Sequence, residues 1–508
     1  MTQTMNTKFS DVLVVGSGMG SLTAACLLAQ KGLKVTILEQ NWIPGGCTTS
    51  YWRKGFVFEA GATTLVGLDE GMPLKVFLDT IGLRINARKL ELPMRVKLKK
   101  GGWISRYQDI DKWIQEAERV FGPSGQRGFW ERCYALSQFV WQQSSRQLTF
   151  PPEKWQDLSR IVRQMDYSKI GFGRFVFSTV QDLLVEFGLA SNQAFCEFVD
   201  EQLMITAQNT REQVNALFGA AALCYTNYSN FYLDGGMKSL VDPLVAYLKS
   251  KGGDLLLRKE VRKIRSISDG YEVLTSKEKF HSRFIVGGIP VNNLADISEG
   301  LLSEELSSRL FSPEALNSAF QMGIGFKTDQ KFKALHFQIH LKEKLSGLSA
   351  QSIFVSLSHE QDALRSDTSG CRVASVSTHL AKPHHNFTLE KTQIEEEIVA
   401  LLEKEGIFSK ENIIYQHSAT QKAWQKWTGR KWGFVGGYPQ LKSVKPWAMN
   451  AARWDKKGAY LVGDTVYPGQ GIPGVTLSGM IAAEKLWNDW KGEIERSGIK
   501  LGVSDVFR

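Results

Sequence analysis

The hydrophobic pattern at the N-terminus predicts a strand, a tight turn, a helix and a second strand. Residues 11–15 are a short, mostly apolar run, which is typical of a strand buried on both faces. Residues 22–31 are rich in Ala and Leu and predict a helix that ends at Gly32. Residues 34–39 then predict a second strand. This order indicates a βαβ unit at the start of the chain.

Similar patterns return later in separated blocks. Between residues 71 and 225, amphipathic segments with many aromatic residues predict helices, and strand signals are few. The predicted helices are 111–121, 175–187, 393–405 and 473–490, and the predicted strands are 255–258, 271–275, 284–287 and 459–462. Alternating strands and helices are therefore predicted at the start, in the middle and at the end of the chain. This pattern predicts one discontinuous domain with two insertions.

Composition excludes several classes of protein. A chain of 508 residues with 43% hydrophobic and 22% charged residues is too long for one core and is not disordered. The net charge of +10 favours an anionic partner, but no nucleic-acid-binding motif accompanies it, so no nucleic acid is expected. Six scattered cysteines predict free thiols, and the eight histidines lack metal-ligand spacing, so no metal is predicted.

No apolar run is long enough to predict a membrane-spanning helix. Residues 1–10 are polar and predict a loose lead-in to the first strand, without the pattern of a signal peptide.

The turn after the first strand has the residues of a nucleotide-binding loop. The first glycine would make the tight turn, and the second would let a pyrophosphate approach the backbone. The helix that follows offers free N–H donors and a positive dipole to the phosphates. Serine stands at the third glycine position and is small enough for close packing. The predicted loop comprises Gly16, Ser17, Gly18, Met19, Gly20 and Ser21.

An acidic residue ends the second predicted strand. Glu39 lies 39 − 16 = 23 positions after the first glycine, where a carboxylate accepts hydrogen bonds from ribose hydroxyls and repels a 2′-phosphate. A second glycine pair follows closely and would cover the pyrophosphate and ribityl chain, which favours FAD over NAD. The further cofactor-binding candidates in this part are Gln40, Gly45, Gly46, Cys47, Gly61 and Ala62.

These residues resemble the phytoene desaturase and carotenoid isomerase family of flavoproteins, within the larger amine-oxidase-like group. The shared pattern is the glycine turn, the strand-ending Glu39, a glycine pair, and Gly-Phe-x-Phe-Asp-x-Gly, which is here residues 55–61. Glu59 stands where Asp is usual, and Cys47 stands where Arg or Ser is more common. The change at Cys47 removes an arginine contact to the pyrophosphate.

The resemblance continues at separated points along the chain. Residues 233–237 resemble the family's second glycine turn, and residues 428–439 resemble a signature in its substrate half. The strand at 257–264 resembles the one whose backbone meets the adenine, here at Val261. Near the C-terminus the family has a strand, Gly-Asp and a Pro-Gly-x-Gly loop that opens a helix. The candidates there are Gly463, Asp464, Gly471, Ile472, Pro473, Gly474 and Val475.

The C-terminal segment also has a direct chemical interpretation. Asp464 would accept hydrogen bonds from the ribityl hydroxyls, and the N–H groups of Gly474 and Val475 would face the N1/C2=O edge of the flavin. A helix N-terminus at that edge stabilises the negative charge of reduced flavin.

The predicted fold class is α/β, with a discontinuous Rossmann-type FAD-binding domain and an inserted α+β substrate domain. Residues 1–75, 226–295 and 446–495 are expected to form the FAD-binding domain. Residues 76–225 and 296–445 are expected to form the substrate-binding and membrane-docking domain, with residues 139–141 and 175–189 as docking candidates.

The resemblance implies a carotenoid substrate and peripheral contact with the cytoplasmic face of a membrane. Desaturation would pass a hydride to flavin N5, and a 3,4-type desaturase is the preferred interpretation. Flavin-assisted cis–trans isomerisation is the alternative. An amine-oxidase-like enzyme and a non-enzymatic prenyl-protein escort are the alternatives from other classes. Neither a catalytic residue nor an electron acceptor is assigned from the sequence.

Overall fold

The computed structural model describes residues 7–385 and 389–497. The first six residues of the predicted lead-in lie outside these ranges, and the first strand already begins at Thr7. The strands are β1 Thr7–Val15, β2 Val35–Leu38, β3 Ser50–Arg53, β4 Phe56–Glu59, β5 Leu65–Val66, β6 Arg88–Lys89, β7 Met94–Lys97, β8 Trp103–Arg106, β9 Asn230–Tyr232, β10 Asp254–Leu256, β11 Val261–Ile267, β12 Gly270–Thr275, β13 Lys279–Gly287, β14 Asn317–Lys327, β15 His336–His340, β16 Ser352–Leu357, β17 Cys371–Ala381, β18 Ile413–Ala419 and β19 Ala459–Leu461.

The α-helices are α1 Met19–Gln30, α2 Pro73–Ile81, α3 Ile110–Phe121, α4 Gln126–Arg146, α5 Trp155–Gln164, α6 Val180–Glu186, α7 Gln193–Ala207, α8 Ala216–Leu223, α9 Lys238–Ser250, α10 Val291–Ile297, α11 Leu301–Ser307, α12 Lys391–Lys404, α13 Gln421–Thr428 and α14 Ile472–Ser497. A 3-10 segment spans Tyr167–Phe177. Among the described helices, none combines the length and the apolar character needed to cross a membrane.

The first sheet has the order β10-β2-β1-β13-β12-β11, and β19 pairs with β13. The strands β10, β2, β1, β13 and β19 run parallel, as a βαβ start requires. Strands β11 and β12 continue the sheet in antiparallel pairing. Because β13 pairs with both β1 and β19, the two ends of the chain meet at the centre of this sheet.

Helix α1 crosses helix α14 at a very short distance. A Cβ atom on Gly479 would lie 2.4 Å from the carbonyl oxygen of Gly20, so glycine is required at this crossing. Nearly every residue of α1 is buried against the sheet and the neighbouring helices. The crossing brings the start of α1 beside the loop that opens α14.

The second sheet has the order β18-β14-β17-β16-β15-β7-β8. All its pairs are antiparallel except β7 with β15. One face carries Met322, Ile324 and Val376 into a core that includes Ile394 and Ile398 of α12. The other face borders a large cavity described below. Helices α3, α4, α6, α7 and α8 form an aromatic core that also includes residues of β7 and β8.

Several predicted elements agree with the structure, and one predicted helix does not. The α/β fold class is confirmed, and helix 111–121 is observed as α3. The predicted helix 175–187 is wrong in its first part, because residues up to Phe177 end the 3-10 segment and α6 begins only at Val180. Side-chain and backbone hydrogen bonds between Thr179 and Asp182 cap α6 and fix this later start.

The prediction of few strands between residues 71 and 225 is confirmed, although the short hairpin of β7 and β8, which belongs to the second sheet, was not predicted. The strands of the first sheet lie within residues 1–75, 226–295 and 446–495, and those of the second within 76–225 and 296–445. The domain boundaries themselves stay a prediction.

Candidate functional site

The turn between β1 and α1 requires glycine at its first position. The N–H of Gly16 donates to the carbonyl oxygen of Leu38 at 2.8 Å, which joins the turn to the end of β2. The φ angle of Gly16 is +86°, and an added Cβ would lie 2.8 Å from the Ile289 side chain. A side chain at this position would therefore be both strained and crowded.

Glu39 is fixed directly beside this turn. One carboxylate oxygen accepts hydrogen bonds from the Ser17 backbone N–H at 2.8 Å and from its hydroxyl at 2.6 Å. The other oxygen accepts from the N–H of Asn41 at 2.8 Å. Carboxylate oxygens have further lone pairs, so this buried acid can still accept hydrogen bonds from ribose hydroxyls.

The second glycine pair faces the first turn. The N–H of Gly45 donates to the carbonyl oxygen of Ser17 at 3.1 Å. A Cβ on Gly46 would lie 3.5 Å from the Cα of Gly18. By contrast, a Cβ on Gly18 would meet no atom within 4 Å, so Gly18 borders open space at the start of α1. This backbone cradle, residues 16–18 with Gly45 and Gly46, fits a pyrophosphate.

The C-terminal loop completes the cradle. A Cβ on Gly20 would lie 3.0 Å from the Val475 carbonyl oxygen and 3.1 Å from the Gly463 nitrogen, which places residues 463–475 against the start of α1. The N–H of Gly463 donates to the Ser478 hydroxyl at 2.9 Å. Helix α14 begins at Ile472, so its N-terminus lies in this loop.

Asp464 forms a partly buried ion pair that the sequence did not predict. Nη2 of Arg430 donates to the two carboxylate oxygens at 3.0 and 2.9 Å, and Nε donates to the Phe434 carbonyl oxygen at 2.7 Å. The sequence pattern placed Arg430 in a family-like signature but gave it no role. The only indication in the sequence was an arginine directly after Gly429.

The predicted cofactor residues fall into two regions. Val261 and Gln40 lie at the Glu39 end, where Lys259 N–H donates to the Glu39 carbonyl oxygen at 2.7 Å and β11 begins two residues later. The residues at the opposite end line the cavity. They are Cys47, Gly61, Ala62, Asp464, Gly471, Ile472, Pro473, Gly474 and Val475. The assignment of the whole set to FAD binding stays a prediction.

The cavity has a volume of about 760 Å³ and lies between the cradle and the second sheet. The N–H of Ala62 donates to the Cys47 carbonyl oxygen at 3.0 Å, which holds the 61–62 segment at the cavity wall. The walls are largely apolar or uncharged. They contain Phe139, Trp141, Phe150, Val176, Leu217, Phe218, Tyr225, Tyr228, Phe354, Trp424, Tyr438 and Tyr467.

The titratable groups of the cavity are few and mostly neutral. Burial lowers the pKa of His379 to about 4, so its imidazole is uncharged at neutral pH. Gln208 lies 3.2 Å from His379 Nε2, and its own Oε1 has no hydrogen-bond partner in the described structure. Burial also raises the pKa of the Cys47 thiol, which keeps it protonated. No lysine or arginine is among the described cavity-lining residues.

Glu59 anchors the segment that leads into the cavity wall. Its carboxylate accepts hydrogen bonds from the Ser50 hydroxyl at 2.7 Å and the Met237 N–H at 3.1 Å, and it forms a buried ion pair with Arg365. A Cβ on Gly236 would lie 2.7 Å from Glu59 Oε1. The acid at this position therefore joins three separate parts of the chain, and its partner Arg365 was not predicted.

Among the described residues, one group of three side chains that could ligate a metal ion lies at the surface. Glu314 lies within 2.8 Å of His384 Nε2, near His385, and also pairs with Lys382 at 3.0 Å. These residues do not line the cavity.

The sequence matches the family model described as flavin containing amine oxidoreductase over residues 22–486. The chain belongs to this family. Curated relatives include prolycopene isomerase 2 from an Oncidium hybrid cultivar, which is 22% identical over 94% of this chain and 84% of that protein. Phytoene desaturase (lycopene-forming) from Pantoea ananas is 22% identical over 94% of this chain and 99% of that protein.

Solved structures show the same fold at low sequence identity. A putrescine oxidase variant superimposes with a TM-score of 0.65 at 14% identity, covering 95% of this chain and 100% of that chain. A fatty acid isomerase from P. acnes that produces CLA gives a TM-score of 0.58 at 14% identity, covering 94% and 99%. As a member of the amine oxidoreductase family, the protein is an FAD-dependent oxidoreductase.

Proposed function

We propose that this flavoprotein desaturates a carotenoid, a long apolar polyene, by hydride transfer to the flavin. The observation that carries the proposal is the cavity of about 760 Å³, whose apolar and uncharged walls reach residues 61–62 and 471–475. Such walls suit a ligand whose surface is almost entirely apolar. The similarity to a phytoene desaturase over 99% of that protein supports the same substrate class.

The residues of this chain would act mainly by holding and enclosing the reactants. Bound FAD would supply a hydride acceptor at N5, and the adjacent carbon of the polyene would release a proton as the double bond forms. The cradle and Asp464 hold the cofactor, and the N–H groups at the start of α14 favour negative charge at the neighbouring edge. The aromatic walls position the polyene and exclude water, which accounts for much of the rate enhancement in such reactions. Neutral His379 offers a polar contact without adding charge.

Flavin-assisted isomerisation of a polyene is the second candidate. Its support is the similarity to prolycopene isomerases, which extends over 94% of this chain. The same apolar cavity would hold a bent cis polyene.

An amine substrate is less well matched by the cavity. A buried ammonium group is stabilised best by a carboxylate that has no other cation. The carboxylates that line the cavity are Asp464, which is paired with Arg430, and Asp166, which caps the 3-10 segment at the surface. A non-enzymatic escort role is disfavoured by the intact glycine cradle and the Gly463-Asp464 segment.

Expression in bacteria that accumulate lycopene or poly-cis carotenes tests the reaction. Desaturation predicts pigments of lower mass with absorption at longer wavelength. Isomerisation predicts all-trans products of unchanged mass. The matched control is Gly18→Asn, which blocks the cradle and should leave the pigments unchanged. If the wild-type protein leaves both pigment pools unaltered while it is folded and loaded with FAD, the carotenoid proposal is wrong.

We further propose that the protein takes its substrate from a membrane by peripheral docking. Large apolar side chains are exposed on α5 and at the end of the 3-10 segment, with Trp155 at 79% and Phe177 at 69% exposure. The Phe177 ring packs against Trp447, which lines the cavity. We define the docking surface as Trp155, Leu158, Val162, Tyr167, Phe177 and Trp447. The neighbouring cations Arg163, Arg174 and Lys445 suit the anionic lipids of a cytoplasmic leaflet.

This docking surface differs from the segments favoured by the sequence pattern. Residues 139–141 line the cavity instead of protruding from the surface. Within 175–189, Phe175, Leu183 and Leu184 are buried in the helical core, and only Phe177 and Val185 are large exposed hydrophobic residues.

Cosedimentation with anionic phospholipid vesicles tests docking. The triple variant Trp155→Ser, Leu158→Ser, Val162→Ser should lose most of its binding to vesicles. Each apolar side chain that the wild type buries in the lipid contributes about 1.5–3 kcal/mol to the free energy of binding. The matched control carries Leu301→Ser and Ile414→Ser, which remove exposed apolar side chains elsewhere. Equal binding by the triple variant and the wild type would contradict the proposed surface.

A further inference from the structure

The FAD site contains acids but few cations. A pyrophosphate carries two negative charges, and the carboxylate of Asp464 lies in the same loop as part of the cradle. Residues 16–21, 40–49 and 463–475 contain no lysine or arginine. The described residues that line the cavity contain none either. Backbone N–H groups alone would have to balance this charge unless a cation reaches the site from another segment.

Arg430 is the cation that reaches this part of the site. It is 9% exposed and is held by the Nε bond to Phe434 and the Nη2 bonds to Asp464. Its guanidinium lies 4.7 Å from the centre of the Phe434 ring. Among the described residues, Nη1 has no hydrogen-bond partner, so one end of the guanidinium is free to bind an anion.

The ion pair with Asp464 brings Arg430 close to the cradle, because Asp464 follows Gly463, whose nitrogen lies 3.1 Å from the Cβ position of Gly20 at the start of α1. The charge of Arg430 also partly offsets the increase that burial causes in the pKa of the Cys47 thiol, which follows the Gly45-Gly46 pair. A Cβ on Gly429 would collide with the side chain of Gln40, so the residue before Arg430 lies against the Glu39 end of the site. Burial alone would lower the pKa of Arg430, but the charge of Asp464 produces a net increase, so the guanidinium stays charged.

We propose that Arg430 binds the pyrophosphate of FAD and thereby supplies, from the segment after α13, the positive charge that position 47 lacks. Arg430 neutralises Asp464 with one nitrogen and offers another to phosphate oxygen. A planar guanidinium suits this double role better than an ammonium group. The inference rests on the FAD site and is independent of the carotenoid proposal.

Titration of apoprotein with FAD, followed by quenching of flavin fluorescence, tests the inference. Arg430→Gln should raise Kd about 10–100-fold, the loss expected for one charge-assisted hydrogen bond. Arg430→Lys keeps the charge and should recover part of the lost affinity. Lys431→Gln is the matched control, because Lys431 pairs with Asp296 and should leave Kd unchanged. Thermal unfolding of each apoprotein checks that the fold is retained.

A double-variant comparison separates direct binding from an effect through Asp464. In protein carrying Asp464→Asn, adding Arg430→Gln should still weaken FAD binding about fivefold or more, since the phosphate contact would remain to be lost. If Arg430 only positions Asp464, the second substitution will have no effect in that background. That result, or a wild-type Kd for Arg430→Gln, would overturn the inference.

Discussion

Gly16 occupies a backbone position that other residues rarely adopt. Replacement by alanine should destabilise the folded protein by about 1–3 kcal/mol, because φ is +86° and the new Cβ would lie 2.8 Å from Ile289. Denaturant unfolding of the apoprotein measures this loss. Gly32→Ala is an informative control, since Gly32 also has a positive φ but its Cβ would meet no atom within 4 Å. If Gly16→Ala lowers the free energy of unfolding no more than Gly32→Ala does, crowding against Ile289 does not contribute to the effect.

Glu272 provides a pH-dependent contribution to stability. Burial opposes its ionisation, but hydrogen bonds from Lys279, His281 and Arg265 lower its pKa from 4.5 to about 2. Because the folded-state pKa is depressed, the stabilisation is complete above about pH 4.5 and is lost as the pH falls towards 2. Glu272→Gln should therefore cost about 2 kcal/mol near neutral pH.

Urea unfolding across pH 2–7 tests the Glu272 prediction. The wild type and Glu272→Gln should differ most above pH 5 and converge near pH 2. A difference that is constant across this range would contradict the charge-based explanation.

Individual site residues could be predicted from sequence when their role depends on neighbours along the chain. Gly16, Gly18 and Glu39 follow from the order of strand, turn and helix. Arg430 and Arg365 could not be predicted in the same way, because their acidic partners lie 34 and 306 positions away. Only folding brings such charges together, and no local pattern encodes the pairing.

At the scale of elements, a charge network connects helix α5, part of the proposed docking surface, to helix α14. Arg453 donates to Asp157 of α5 at 2.6 Å and to Asp489 of α14 at 2.7 Å. Lys485 of α14 is fully buried and donates to Glu153 at 2.7 Å. These contacts fix α5, which exposes much of the docking surface, on the C-terminal helix.

Removal of Arg453 should be strongly destabilising. Arg453→Leu leaves the buried Asp157 without its cation and leaves Asp489 with Lys154 alone, at an expected cost of about 3–5 kcal/mol. Chemical denaturation measures the change. Arg262→Leu is the control, because its pair with Glu260 is exposed and should contribute less than about 1 kcal/mol. Similar unfolding midpoints for the two variants would show that the network adds little.

Elements with strong periodic patterns were predicted well, and short ones were not. Helix α3 was predicted within one residue because its apolar positions recur at helical spacing. The hairpin of β7 and β8 was missed, since its strands are four residues long and lie within a helical region. Strand β7 is stabilised by pairing with β15, more than 200 residues later, which only tertiary structure specifies.

At the scale of the whole molecule, the cofactor site joins parts of the chain that are far apart in sequence. The first turn, the Gly45-Gly46 pair and the loop before α14 meet where β1, β13 and β19 lie side by side. The discontinuous arrangement could be inferred from the order of patterns. The shape of the cavity could not be inferred in this way, because its walls combine residues next to both sheets with residues of the helical block.

The central claim, that the glycine cradle holds FAD, is tested most directly by the FAD content of purified Gly18→Asn protein beside the wild type. Asparagine is a good helix N-cap, and its Cβ meets open space, so the apoprotein should unfold at the same temperature. Its side chain would occupy the N–H groups that a phosphate needs. The account predicts about one FAD per wild-type chain and almost none in the folded variant. Full FAD occupancy in Gly18→Asn, or a folded wild-type protein that binds no FAD, would contradict it.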